Sequence, residues 1–534
     1  MAGIKPPVDL FCQSVRIVWK GIQIAGVSDL NKDDLHPELV SRLLSGGVDI
    51  DRMISFLDDL NSGRFDHAES SDAISIPDIS HPSIVDMTRS PSRSMPLAAA
   101  RARFAELSIP FTPESVGQVV SEGILFDKDA LERIGIFLYP KAAYGVLNGG
   151  AASSYVDIKK NRSLAGPLFD RYTALFERLS EECRNVPKGI TPAYINPDGS
   201  SGYSFLLMKL RMLLEHKKRY RELYGSLPEL ILPAFQMTSV HTDAAIATAF
   251  KEYVLCDELR GLAHEIGCPS IEIFTESQTM MAAITHSSQG SPRKIFDCAH
   301  GKANTPIPLP GGHGQNFSIL APIYRKLRES GVRWVWLGNI DNMGYTVCPV
   351  SLAIFALSGS GAAFETSVRT AMDVKGGILV SDAKGRLTCA DIGPAISADT
   401  VVSLEEAGKT VLFNCGVGLF DLEWLCPRLD EIPYKLPLRV TDQDKDSGLY
   451  AQAEQITWEI IGLVENPLFF AVRKDKRFIA AKLLMETIMT SVPPTQESLS
   501  PEIAQVSHLL HDGLLSLLEG EYGLVRQGGR LVPR

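Results

Sequence analysis

The chain runs to 534 residues, too long for one compact core, so two or three domains are expected. Hydrophobic residues make up 45% and charged residues 22%, and the net charge of −10 argues against broad binding to nucleic acid or anionic membrane. The nine cysteines are scattered without a CxxC pair, which points away from a zinc site or a disulfide framework. The N-terminus lacks the apolar run of a secretory signal, and no stretch of 18 apolar residues occurs, so a reducing cytoplasm is the expected compartment.

Residues 8–60 carry apolar side chains at helical spacing, such as Val40, Leu43 and Leu44, then Met53, Leu57 and Leu60. Residues 61–97 are rich in Ser, Asp, Pro and His and read as a long loop or linker. From about residue 112 short apolar runs alternate with helical stretches. The runs are Ile136–Leu138, Gly145–Leu147, Glu229–Phe235, Ser270–Phe274, Trp334–Leu337, Gly377–Val380 and Val411–Phe413, with helices expected at Phe205–Tyr224 and Ala244–Glu265. Such alternation predicts a mainly parallel sheet covered on both faces. Beyond residue 450 helices are expected at Ala451–Leu463, Lys482–Met489 and Pro501–Leu518. The last four residues, Leu531-Val532-Pro533-Arg534, read as a tag remnant. The expected division is therefore a helical region with linker over 1–110, a catalytic domain over 111–425, a mostly helical region over 426–530, and 531–534 apart.

In an open α/β sheet ligands sit at the carboxyl ends of the strands, so the residues after each apolar run matter most. After Tyr144-Gly145-Val146-Leu147 comes Asn148-Gly149-Gly150-Ala151-Ala152, a small-residue turn whose backbone can approach an anion, with Lys159 and Lys160 soon after. By itself a Gly-Gly after a strand is more often a plain turn. After Trp334-Val335-Trp336-Leu337 comes Gly338-Asn339-Ile340-Asp341-Asn342, which places a carboxylate where Mg²⁺ could be shared with phosphate oxygens; a helix cap is the simpler alternative. Pro310-Gly311-Gly312-His313-Gly314-Gln315 surrounds one histidine with glycines, as a loop folding over a ligand would.

With these elements the chain resembles the eukaryotic-type UTP–glucose-1-phosphate uridylyltransferases and, more distantly, the UDP-N-acetylglucosamine pyrophosphorylases, over roughly residues 140–485. Eight segments match in order: Leu147–Gly150, Met237–Thr242, Phe274–Gln278, Gly312–Gly314, Gly338–Asn342, Asp373–Gly377, Phe413–Asn414 and Arg477–Lys482. The resemblance implies a Rossmann-like, GT-A-like nucleotidyltransferase core in the α/β class, with a mainly parallel mixed sheet and helical N- and C-terminal additions. It also implies UTP and a sugar 1-phosphate, most simply glucose 1-phosphate, as substrates, and Mg²⁺ as cofactor, with neither nucleic acid nor membrane as partner. Asp341 would hold Mg²⁺ and Lys482 would neutralise phosphate. Leu147, Asn148, Gly149 and Gly150 would cradle the nucleotide while Gln278 and Gly312 read uracil. His313, Asn339, Gly377 and Asn414 would meet the sugar or its phosphate.

The departures from the family fall in two places. Where the family has Leu-Gly-Thr-Ser-Met-Gly after Gly-Gly, this chain has Ala151 to Val156, and a β-branched Val cannot readily replace a glycine of positive φ. The family's Lys-Gly-Pro-Lys-Ser is matched by Ile158-Lys159-Lys160-Asn161-Arg162, which makes Lys159 or Lys160 the expected triphosphate cation. On the sugar side, the family's second asparagine falls on Gly416 and its glutamate near Cys389 or Asp391. These changes leave room for another sugar, such as N-acetylglucosamine 1-phosphate or several sugars, and for a non-catalytic protein that binds nucleotide sugars.

Overall fold

The computed structural model describes residues 32–492 and 501–534, apart from 67–74, 374–375 and positions 122, 153, 269, 383 and 394. Ten strands among the described residues form the central sheet. They are β1 (Ile84–Asp86), β2 (Ala142–Leu147), β3 (Ala234–Ser239), β4 (Ile273–Gln278), β5 (Trp334–Asn339), β6 (Ala362–Val368), β7 (Gly377–Ser381), β8 (Leu387–Asp391), β9 (Leu412–Asp421) and β10 (Leu468–Val472). The spatial order is β1-β10-β6-β9-β5-β2-β3-β4, with β7 bonded to β9 and β8 to β7. Along that path every neighbouring pair is parallel except those of β9, which runs against both β6 and β5.

The two strands at the centre, β2 and β5, are apolar but for the terminal Asn339 because both faces are covered. Every residue of β2 is buried, and so are the first five of β5. Their side chains alternate between two cores, Tyr144 and Trp336 on one face, Ala143, Val335 and Leu337 on the other. The helix Phe205–Tyr224 starts where Ser204 Oγ accepts from the Leu207 amide and stops at Gly225, whose φ of +85° few other residues tolerate. The almost wholly buried helix Pro349–Ser358 packs so closely on Lys128–Phe137 that a Cβ on Gly135 would lie 1.9 Å from the Pro349 carbonyl oxygen.

Several expected boundaries move. Ile136–Leu138 is not a strand but the end of helix Lys128–Phe137, as its apolar run is one buried turn. The linker over 61–97 contains β1, the edge strand beside β10. Ala451–Leu463 is not one helix: Gly448–Glu454 is a strand paired with Arg439–Lys445 and with Ile284–Thr285, and Thr457–Leu463 is a 3₁₀ helix. The 426–530 region also supplies β10 to the central sheet, between the edge strand β1 and β6. Residues 531–534 do not stand apart. Arg530–Pro533 pairs with Leu524–Gln527, Leu531 is buried, and its amide donates to Asn196 Oδ1 at 3.0 Å. Residues 8–31 and Cys12 lie outside the described residues. No helix among the described residues is long and apolar enough to cross a membrane.

Candidate active site

Parallel pairing of β2 with β5 aligns Leu147 with Asn339, so their two loops leave the sheet side by side. The loop after β2 is pinned at once. The Asn148 amide donates to the Met237 carbonyl at 2.8 Å, its side-chain amide to Gln236 Oε1 at 3.0 Å, and Ser239 Oγ to the Gly149 carbonyl at 2.9 Å. A Cβ on Gly149 would sit 3.2 Å from the Thr238 carbonyl oxygen, whereas Gly150 faces open space. Small residues therefore serve close strand packing at 149 and access at 150.

Beyond Gly150 the chain makes an excursion through helices Ile158–Ala165, Pro167–Arg171 and Thr173–Cys183 and then returns. The return is tied to the loop: the Ala152 amide donates to Val186 and the Lys188 amide to Gly150. This delivers Lys188, which the sequence reading missed, to Asp341, with Nζ 2.6 Å from Oδ2 and the side chains only 12% and 15% exposed. Lys188 Nζ also stands 5.0 Å from the centre of the Tyr155 ring. Lys159 and Lys160 are exposed on the first turn of the excursion, where Lys160 Nζ donates to Ser154 Oγ. The structure does not bring either to Asp341.

Asp341 lies on a turn strapped to residues 477–482. Asn342 holds the strap with both ends of its amide: Nδ2 donates to the Arg477 carbonyl and Oδ1 accepts from the Ile479 amide, each at 3.0 Å. The Met343 amide donates to Ile479 and the Ala481 amide to the Asp341 carbonyl. A side chain on Gly344 would strike the Arg477 backbone at 2.3 Å. Lys482 is thereby set beside the Asp341 turn with its side chain exposed. Glu486, one turn on, accepts from the Leu483 amide at 2.7 Å. Burial raises its pKa against that bond and the pull of Lys188 and Lys482.

The other predicted residues form two further groups. Gln278 Nε2 donates to the Gly312 carbonyl and to Gln315 Oε1, both at 2.9 Å, so the expected uracil-reading pair is in contact. The 311–315 loop is clamped rather than free. Gly314 N–H donates to the Gln455 carbonyl and Gln455 N–H to Gly311, while Gly312 at φ +81° leaves no room for a Cβ against Gln455. His313 Nδ1 accepts from the Thr457 amide at 3.1 Å, which puts the ring proton on Nε2. Burial and the nearby Lys482 and Arg439 hold His313 down to about 4, so the ring is a neutral donor at neutral pH.

The sugar-side candidates gather around a bulge in β9. Gly416, at φ +63°, comes within 3.1 Å of Asn339 Nδ2 measured from an ideal Cβ, with Trp458 next nearest. Asn414 Oδ1 accepts from the Gly416 amide, and Asn414 Nδ2 lies 3.6 Å from Cys389 Sγ. A Cβ on Gly377 would meet that sulfur at 2.2 Å. Asp391 is turned onto Arg439 at 2.5 Å, which also binds Glu459. Val374 and Lys375 of the Asp373–Gly377 segment lie outside the described residues.

A family model described as UTP–glucose-1-phosphate uridylyltransferase matches residues 202–491, more than half of the chain. The chain belongs to that family. The enzyme of that name from Encephalitozoon cuniculi (strain GB-M1) is 26% identical over 175 residues, 32% of this chain and 35% of that protein. The alignment thus spans about a third of the relative's length. Among solved structures, the uridine diphosphate N-acetylglucosamine pyrophosphorylase of Trypanosoma brucei in complex with inhibitor matches with a TM-score of 0.54 at 13% identity, over 85% of this chain and 84% of that one. The UDP-glucose phosphorylase of Trypanosoma brucei matches with a TM-score of 0.51 at 17% identity, over 93% and 81%. At such identities the likeness bears on the fold, and it agrees with the Rossmann-like uridylyltransferase core that the family predicts.

Proposed function

We propose that the protein is a uridylyltransferase that forms a UDP-sugar and pyrophosphate from UTP and a sugar 1-phosphate. A phosphate oxygen of the sugar 1-phosphate attacks the α-phosphorus of UTP. A new oxygen–phosphorus bond forms, the bond from the α-phosphorus to the bridging oxygen breaks, and pyrophosphate leaves with that electron pair. Such a reaction needs alignment and charge neutralisation more than covalent help. The observation that carries the reading is the meeting of Lys188, Asp341 and the Lys482 strap at the carboxyl ends of β2 and β5.

Each group then has a role. Lys188 and Lys482 would face phosphate oxygens, Gln278 and Gly312 the uracil, and neutral His313 would donate from Nε2. Asn339, Gly377 and Asn414 would line the sugar. Mg²⁺ would suit this site: Asp341 offers one carboxylate, here paired with Lys188 Nζ, and such an ion takes its other ligands from phosphate oxygens and water. It would be held by Asp341 and would neutralise charge on the phosphates. The free thiols of the described cysteines suit a reducing cytoplasm.

Glucose 1-phosphate is the first choice of sugar. The small Gly416 beside Trp458 and the engagement of Asp391 by Arg439 favour keeping a second reading, a larger or more varied sugar such as N-acetylglucosamine 1-phosphate. Pyrophosphate release from UTP with a panel of sugar 1-phosphates tests both. Turnover is expected with glucose 1-phosphate, falling by about 10²- to 10³-fold in Asp341→Asn. Tight UTP binding with no pyrophosphate from any sugar would make the protein a nucleotide-binding relative without catalysis.

A further inference from the structure

Lys209, the fifth residue of helix Phe205–Tyr224, is a lysine only 2% exposed with no carboxylate at ion-pair distance among the described residues. Its Nζ makes three contacts: the Asn342 carbonyl at 2.5 Å, the Tyr345 carbonyl at 2.7 Å and the Tyr522 hydroxyl at 3.3 Å. The hydroxyl of Tyr522 spends its own proton on the Met343 carbonyl at 2.7 Å, so towards Lys209 it can only accept. Three acceptors need three N–H donors, and only the ammonium form has them. Burial and Arg477 push this amine towards its neutral form, Asp341 pulls the other way, and the cage of oxygens compensates the charge.

The residues caged are those that directly follow Asp341. Carbonyls of 342, 343 and 345 all end on Lys209 or on its partner Tyr522, while the Tyr345 carbonyl also accepts from Tyr144 Oη of β2 at 2.7 Å. The Tyr144 and Tyr345 rings stack at 4.5 Å, and Tyr345 Oη returns a bond to Gly145. The turn is thus fixed from behind by a buried cation, from one side by β2, and from the C-terminal segment by Tyr522.

Resting on the uridylyltransferase reading, we infer that Lys209 is a positioning residue: with Tyr522 it holds the 341–345 turn so that Asp341 meets the metal and phosphates in a fixed geometry. Outer contacts of this kind typically change metal affinity or activity by about 10- to 100-fold when removed. Lys209→Met keeps the length and apolar stem but removes the charge and all three donors.

The test measures kcat, the KM for UTP, and Mn²⁺ binding in the presence of UTP from the paramagnetic signal of free Mn²⁺. In folded Lys209→Met, kcat and Mn²⁺ affinity are each expected to fall by about 10-fold or more, with KM changing by less than about threefold. Tyr522→Phe keeps its ring in the core and loses only the hydroxyl, so a smaller fall in the same two quantities is expected; it carries the test if the lysine variant does not fold. A purely structural role would lower the melting temperature and leave both quantities within about twofold in the folded fraction, and that result overturns the proposal. If the parent binds Mn²⁺ with UTP yet turns over no sugar 1-phosphate, uridylyl transfer fails while the Mn²⁺ readout still decides Lys209.

Discussion

At the residue scale, the cation beside Asp341 is the sharpest contrast between sequence and structure. Lys159 and Lys160 follow the glycine loop in sequence but stand on an exposed helix turn, whereas Lys188, 38 positions after Gly150 in the numbering, is hydrogen-bonded back to it. Lys188→Met should therefore lower kcat by about 10²- to 10³-fold, the scale of losing one preorganised charge at a phosphoryl centre. Lys159→Ala and Lys160→Ala should leave steady-state rates within about twofold, since an exposed lysine has little to lose beyond screened attraction. Equal losses at 159 and 188 would remove Lys188 from its role. The strand-end placement of Leu147, Asn148, Asn339 and Asp341 was legible because each ends or follows a continuous apolar run, and a strand end marks a ligand edge in this class of sheet. Lys188 follows no such run. It sits in a Pro-Lys-Gly turn, and only the bonds between the loop and the returning chain, Ala152 N–H to Val186 and Lys188 N–H to Gly150, reveal that the helices between are an excursion.

At the element scale, the strap Arg477–Lys482 is tied to the sheet by a buried ion pair in addition to its bonds with the Asp341 turn. Arg477 Nη2 lies 2.5 Å from Glu365 Oε1 and Nη1 donates to Thr346 Oγ1 at 2.8 Å, with the Glu365 side chain wholly buried. The pair joins β6 to the strap and so to the Asp341 turn. Arg477→Ala would strand a buried carboxylate, and the expected cost is about 3–5 kcal/mol. In urea this should read as a lower midpoint with an unchanged slope, and the double variant Arg477→Met with Glu365→Gln should recover part of it. An unshifted midpoint in Arg477→Ala would show that the pair does not hold the strap. The sequence marked the strap by its family pattern but gave no sign of Glu365, whose partner is 112 residues away. Helix and strand were confused at 451–463 for a different reason. The buried Tyr450, Ala451 and Ala453 are too few to separate the two periods, and the pairing with 439–445 decides for a strand.

At the scale of the whole molecule, the termini of the described chain are interleaved rather than stacked as domains. β10, from residues 468–472, lies between β1 from residues 84–86 and β6, and among the described residues β1 has no other strand partner. Helix Pro501–Gly520 closes on the short helix Lys474–Arg477 that leads into the strap, where a side chain on Gly513 would meet the Asp475 carbonyl oxygen at 2.0 Å, and Tyr522 reaches the Asp341 turn. β10 thus joins the expected parcels 111–425 and 426–530 in one sheet, and strand order of this kind is a long-range property that local periodicity does not carry. One cooperative unit follows from this topology. Removing everything after Leu425 would take β10 from the sheet, leave the edges of β1 and β6 unpaired, and expose the apolar residues of both cores that β10 covers. Such a chain should fail to fold. In the intact protein, the fluorescence of Trp334 and Trp336, both fully buried in β5, should lose its native signal in the same denaturant transition as the far-ultraviolet circular dichroism. Two separated transitions, or a soluble folded chain ending at Leu425, would show that the C-terminal segment is an appendage. Coincident transitions would mean that the turn holding Asp341 is as stable as the sheet itself, as a site built for a preorganised phosphate reaction requires.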